Sequence, residues 1–453
     1  MKFLLTIDWQ KVTGVCWFVS MSLLLSAGIF GQHEVKKLKS KLPTFSISVD
    51  GEQRDFGLYN ASEIQTVELS VHPERPRSLS IRTDAGTLEF RVNIGDHVDF
   101  SIEHDGSFFR HKIVGEEFKP DLLKMQTFLA GNAGDVSPKL GGPALALDGG
   151  DPKIGGMQAL INKARGCTSC GTKVDIVVLS AGDLNKHDPY ISTSALERGL
   201  NADSKRWIEH VTAMEGVDSI EVLYFLDGPR PDEADSEDVE KKIRKAEVVF
   251  FAGGLQCNYV TAFRGTPVQR AVESVYKRGG AVGGSSAGDA IQGEFVFDAC
   301  NYKIGFVTSA IALADPYDPR ISFSGDFFKW KFLEGTMTDQ HLVKRDRIGR
   351  TFAFLARTLK ESKKRAVYGI GSDEEATVVI DKNGVATVVG TANAYFITAD
   401  HKPEICEKGK PLTYKGFKVW KRAPGEKFDL KNRPKDGYYL VDVVEGKLSR
   451  DPY

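Results

Sequence analysis

At 453 residues the chain is too long for one typical domain and suits two or three, each large enough to bury a core. Its 41% hydrophobic and 27% charged residues are ordinary for a soluble globular protein. A formal net charge of −1 gives no bulk attraction to nucleic acid or to an anionic membrane, so chemistry on small molecules or peptides fits better.

The first segment, residues 1–31, is expected to be an export signal. Val12 to Phe30 is mostly apolar, Lys2 and Lys11 precede it, and Ser26-Ala27-Gly28 supplies small residues near its end. Cleavage would leave a secreted or periplasmic protein, and an uncleaved anchor is the one membrane association the sequence allows. Cys16 lies inside the apolar run, and no lipid-attachment pattern follows it.

Residues 44–115 show short alternating runs, among them Phe45-Ser46-Ile47-Ser48-Val49 and Phe90-Arg91-Val92-Asn93-Ile94. Period-two alternation with turn residues between the runs predicts antiparallel strands and a small β-sandwich-like domain. His72, His97, His104 and His111 fall here without metal-ligand spacing. Residues 116–142 read as a linker with one short helix.

From residue 143 to 453 the texture changes. Ala144-Leu145-Ala146-Leu147, Val174 to Leu179, Ile220 to Phe225 and Val248 to Phe251 are apolar runs of strand length with helical or loop segments between them. Strands apolar nearly throughout are buried on both faces, which predicts a doubly wound, mostly parallel α/β sheet. The acidic stretch from Pro229 to Lys242 reads as a solvated loop and helix start.

Ligands of such sheets bind outside the carboxyl ends of the strands, and three glycine turns fall there: Gly149-Gly150, Gly253-Gly254 and Gly283-Gly284. The first lacks the Gly-x-Gly-x-x-Gly spacing, which argues against a nucleotide site. The third opens Gly284-Ser285-Ser286-Ala287-Gly288, a Gly-x-Ser-x-Gly nucleophile elbow that would lift the Ser286 hydroxyl out of the sheet. The bare pattern is also a plain strand-to-helix turn, so partners elsewhere decide its meaning.

A serine nucleophile needs a base, and His187, His210, His341 and His401 are the imidazoles of this region. His341 stands apart because it follows Asp339-Gln340 and precedes a basic segment with Arg345, Arg347 and Arg350. Arg345 lies one helical turn beyond it, and guanidinium forks beside a base suit recognition of a carboxylate. Asp373, Glu374 and Glu375 follow a strand-like run and are candidates to orient the imidazole. The order serine, histidine, acid differs from that of α/β-hydrolases.

Five cysteines follow the expected signal, an odd and sparse set that implies no disulfide framework. Cys167 and Cys170 suit a local loop disulfide or two free thiols better than a zinc or redox site. Cys257 reads as a small packing residue.

The elbow GGSSAGDA, the upstream FFAGGLQ, the segment DQHLVKRDRIGR and the later GIGSDEEA together resemble the motifs of cyanophycinase and its serine-peptidase family, related to aspartyl dipeptidases and, more distantly, to class I glutamine amidotransferases. The resemblance covers about Pro143 to Pro434. It implies a serine peptidase that hydrolyses cyanophycin, the β-aspartyl-arginine polymer, and releases β-Asp-Arg dipeptides, with no metal and no cofactor. By that resemblance Ser286 is the nucleophile, His341 the general base and Glu374 its orienter. Ala287, Gly253 and Gly254 would supply oxyanion N–H groups, while Gln256, Asp339, Gln340, Arg345, Arg347 and Arg350 would line the substrate pocket. The partner would be cyanophycin or another aspartyl peptide, and a homodimer is compatible with the sequence.

Leu255 stands where a polar residue is expected, Ser285 where threonine is usual, and Asp289 where a small residue is common. The N-terminal β-rich region falls outside the family core, and a substrate-binding, anchoring or pro-domain role is the expectation for it. Two other readings accompany the first: a peptidase for other aspartyl or isoaspartyl peptides, and a non-catalytic cell-envelope binding protein. An amidotransferase would need a cysteine where Ser286 stands.

Overall fold

The computed structural model describes residues 125–150, 155–181, 193–225, 231–302 and 305–453, and before residue 125 it gives the backbone of nine strands. The chain divides into residues 1–122 with 185–203, and residues 123–184 with 204–453. In the first unit Thr44–Val49, Glu52–Gly57, Arg77–Thr83 and Gly86–Val92 form a four-stranded antiparallel sheet. Lys2–Ile7, Ser20–Ser22, Gln65–Val71, His97–Ile102 and Phe109–Val114 form a second sheet. The sandwich expectation concerns side chains outside the described residues, as does most of the expected export signal.

The second unit is a mixed α/β structure with two sheets. The larger has nine strands, and its centre is five parallel ones in the order Val217–Phe225, Val174–Ala181, Val248–Phe251, Ala281–Ser285, Ala144–Asp148. The four apolar runs of the sequence all lie here, and all but the Val217–Phe225 strand are buried from end to end. Helices cover both faces. On one face Val239, Ile243, Val272 and Val275 pack with Val249, Phe251 and Val282. On the other, Trp207 meets the Phe250 ring, and Gly283 leaves room for Leu160. Ser236 and Thr266 cap the covering helices Glu237–Lys245 and Pro267–Lys277, accepting from Val239 N and Gln269 N.

Antiparallel strands complete this sheet on both sides. Gln126–Gly131 pairs with Val217–Phe225 as an edge strand, inside the segment the sequence suggested was a linker. Ala376–Ile380, Val385–Gly390 and Lys427–Asp429 extend the other edge.

The smaller sheet was not expected. Its eight strands run Phe323–Gly325, Phe295–Phe297, Thr336–Gln340, Val367–Ser372, Ala394–Ala399, Tyr414–Arg422, Tyr439–Val444, Lys447–Leu448. Thr336–Gln340 and Val367–Ser372 are parallel neighbours, and the helix Ile348–Glu361 buries Phe352, Leu355 and Leu359 in a core shared with Ile397, Val419 and Val441 of this sheet.

Candidate active site

Ser286 follows the strand Ala281–Ser285 of the larger sheet and opens the short helix Ala287–Ala290. A Cβ on Gly284 would lie 2.3 Å from the Gly288 carbonyl carbon, and one on Gly288 would lie 2.2 Å from the Phe251 carbonyl oxygen, so the turn closes only with glycine at both places. At the apex Ser286 takes φ 53° and ψ −111°, a conformation costing about 1–3 kcal/mol that the surrounding structure must hold. A Cβ on Gly253, just past the end of the neighbouring strand, would lie 3.5 Å from Ser286 Cβ, at ordinary contact distance.

Asp148 braces this turn from below. Its backbone carbonyl accepts from Ser286 N at 3.0 Å, and its buried carboxylate accepts from Ser285 Oγ and Thr377 Oγ1, each at 2.6 Å, and from Gly150 N at 3.0 Å. The sequence reading missed this residue. Its signal was its place at a strand end just before Gly149-Gly150, one of the three glycine turns at the ligand-binding end of the sheet.

The imidazole arrives from the smaller sheet. His341 follows Thr336–Gln340, and its backbone N–H donates to Gly149 O at 2.9 Å, joining the carboxyl ends of two strands from different sheets. A Cβ on Gly150 would lie 2.1 Å from His341 Cε1, so a bare glycine backbone lies against the imidazole. Ser286 Oγ lies 2.8 Å from His341 Nε2, and His341 Nδ1 lies 2.8 Å from Glu374 Oε1. A carboxylate can only accept, so it favours the tautomer with the proton on Nδ1 and leaves Nε2 to accept from the serine hydroxyl.

Of the three acids considered, geometry separates the roles. Asp373 Oδ1 accepts from Val343 N and Lys344 N at 3.0 Å each and so fastens the loop after His341. Glu375 takes positive φ and turns its carboxylate to Thr391 Oγ1 at 2.7 Å. Glu374 alone meets the imidazole.

Burial first, then the charges of Arg345 and Arg347, push the His341 imidazole down to about 4, against the pull of Glu374. The ring is therefore a neutral acceptor at pH 7. Arg345 is half exposed and holds its Nε 3.7 Å from Glu374 Oε1. Arg347 donates from Nη1 to Gln340 O at 3.1 Å, and burial, then Arg350, hold its guanidinium below the usual arginine range.

Asp339 and Arg350 depart from the pocket-lining expectation. Arg350 grips the Asp339 carboxylate through Nε and Nη2, Thr351 Oγ1 adds a bond at 2.8 Å, and both residues are buried. Burial alone would raise the Asp339 carboxyl, but Arg350, Arg347 and Thr351 together outweigh it and hold it below its usual range. The guanidinium also sits 5.3 Å from the Phe297 ring centroid, so the pair is a packed brace under the His341 loop. Gln256 is buried and donates from Nε2 to Phe297 O at 3.2 Å. Gln340 is buried too, with no hydrogen-bond partner for its Oε1 among the described residues. Asp289, completely buried under the elbow, has no partner for either carboxyl oxygen among those residues, and burial, then Asp148 and Asp339, push it well above the carboxylate range.

Cys257 is not a mere packing residue. It is bonded to Cys300, with an S–S distance of 2.07 Å, and ties the start of the helix Gln256–Phe263 to the turn after Phe295–Phe297. Cys167 and Cys170 form a local disulfide, and Cys406 is free and buried. His210 is exposed with Nδ1 on Arg206 O, His401 lies beside Asp400 and Tyr414, and His187 is outside the described residues. Among the described residues no group of three or more His, Cys, Asp or Glu side chains could hold a metal ion, and no helix is long and apolar enough to cross a membrane.

Comparison with protein-family models finds none that matches, and comparison with curated proteins finds none either. Among solved structures the chain is similar to a peptidase from an acI-B1 Actinobacterium, at 14% identity and a TM-score of 0.42 over 64% of this chain and 97% of that one. It is also similar to a putative peptidase E protein from Listeria monocytogenes EGD-e, at 10% identity and a TM-score of 0.32 over 55% of this chain and all of that one.

Proposed function

We propose that this chain is an exported serine peptidase of the cyanophycinase kind, which hydrolyses the β-aspartyl-arginine polymer cyanophycin to β-Asp-Arg dipeptides through an acyl-enzyme. The observation that carries the reading is the unbroken relay from Ser286 Oγ through His341 to Glu374, with 2.8 Å at each step, on a strained elbow. In the proposed cycle His341 Nε2 takes the hydroxyl proton as Ser286 Oγ attacks the scissile carbonyl carbon. Glu374 steadies the imidazolium formed, and the N–H of Ala287 with the Gly253-Gly254 turn would face the oxyanion. His341 then gives the proton to the leaving amine as the C–N bond breaks. Water, deprotonated by the same imidazole, attacks the ester and frees the acid and the serine.

Arg345 and Arg347 beside the relay support an acidic acyl group. Two disulfides and the apolar, lysine-flanked leader support export to an oxidising compartment. Purified protein should release β-Asp-Arg from cyanophycin faster than it cleaves short α-aspartyl or isoaspartyl peptides, with release abolished in Ser286→Ala and the fold retained. Faster cleavage of the short peptides would move the substrate to that class. No turnover and no Ser286 adduct with a fluorophosphonate would leave a binding protein.

A further inference from the structure

The loop that follows His341 is closed from outside by a phenol remote in sequence. Tyr453 Oη receives a hydrogen bond from Ile348 N at 3.2 Å, and its single proton faces Asp346 Oδ1 at 2.9 Å and Leu342 O at 3.1 Å. Leu342 O also accepts from Arg347 N at 2.7 Å, so the phenol completes a knot that already holds the loop's two ends together. The loop needs holding, because His341 and Asp346 both take positive φ, at 52° and 45°.

The phenol is itself well anchored. Its ring meets Tyr395 edge-on at 5.9 Å, and the preceding Pro452 O accepts from Tyr439 Oη at 2.6 Å. Burial, with the Asp346 bond adding to it, raises the phenol's proton affinity, so it stays a donor at any working pH. The loop between these contacts carries Arg345 and Arg347, the two cations that act on the His341 imidazole.

We infer that Tyr453 is a positioning residue for the serine peptidase reaction: through its hydroxyl it locks the 342–348 loop, and so holds Arg345 and Arg347 at the base. This rests on the function proposed above, but the loop contact can be tested apart from it. In Tyr453→Phe the ring and its packing remain and the hydroxyl goes.

The expected results are a fall of about tenfold in the rate of Ser286 labelling by a fluorophosphonate at pH 7, and faster amide hydrogen exchange across residues 343–348. The acid limb of the labelling rate should also move up from about 4, because the two arginines leave the imidazole while its burial, the larger cause, remains. A merely structural role would not move that limb. Asp346→Asn, which keeps an acceptor for the phenol, should retain most of the labelling rate. Wild-type exchange and an unmoved acid limb in Tyr453→Phe would overturn the inference. Faster exchange in a protein whose wild type is never labelled would also overturn the role at the base, and would place the failure in the proposed function, not in the loop contact.

Discussion

The two halves of the candidate site are held by different means. Ser286 stands on the larger sheet in a turn made by backbone close packing, where Gly284 and Gly288 admit no added carbon. His341 follows a strand of the smaller sheet and Glu374 lies in the turn between the two sheets; both are held by hydrogen bonds, from His341 N to Gly149 O, from two loop amides to Asp373, and from Arg350 to Asp339. Close packing tolerates almost no movement, whereas a hydrogen-bonded loop can shift by fractions of an ångström as its partners change. Ser286 is thus the fixed reference, and His341 is the part whose alignment and charge are adjustable.

Removing the acid from the adjustable half should have the largest effect. Glu374→Gln keeps the shape but presents an amide to Nδ1, permitting the wrong tautomer, and kcat should fall by about 10²–10⁴-fold with the melting temperature nearly unchanged. Steady-state kinetics beside thermal denaturation checks this, and a fall of less than threefold would show that the carboxylate does not set the tautomer.

The fixed half should fail in the opposite manner. Asp148→Ala strands the buried Ser285 and Thr377 hydroxyls and the Gly150 amide, at about 1–3 kcal/mol for each group left unsatisfied. Thermal or denaturant unfolding should show the loss of stability, and activity should fall together with the folded fraction. Full stability in that variant would mean that the elbow is held by its glycines alone.

The smallest effect expected is one of pH. In the proposed reaction the neutral imidazole is the active form, so kcat/KM should be flat from pH 5 to 8 and fall about tenfold per unit below about 4. The stability sign follows from the same shift. The folded ring binds its proton more weakly than the free value of 6.5, so between about 4 and 6.5 the unfolded chain holds more protons and stability rises with pH; it is lost on acidification through that window. A midpoint near 6.5 in the rate profile would mean that neither burial nor Arg345 and Arg347 depress the ring.

The two halves were also unequally legible in the sequence. The elbow is five consecutive residues whose glycines and serine state its geometry, and the central strands announce themselves as apolar runs. His341 and Glu374 could be picked out by the residues around them, but their meeting with Ser286 is a fact of space. The smaller sheet stayed hidden because several of its strands are very short, as at Phe295–Phe297 and Lys447–Leu448, or alternate in burial as edge-like strands do. Asp148 was unreadable for another reason: its hydroxyl partners lie 137 and 229 positions away. Arg350 and Asp339 were visible, but charge pattern alone could not tell a pair that faces a ligand from a pair that faces itself.

The Cys257–Cys300 bond closes a covalent ring with a sequence separation of 43, and Ser286 lies inside that ring. A single backbone cut between those cysteines, wherever it falls, leaves the two fragments joined through the disulfide. A ring of this size also limits how far the unfolded segment can spread, so the turn bearing the hydroxyl starts each refolding attempt already near the helix that will flank it.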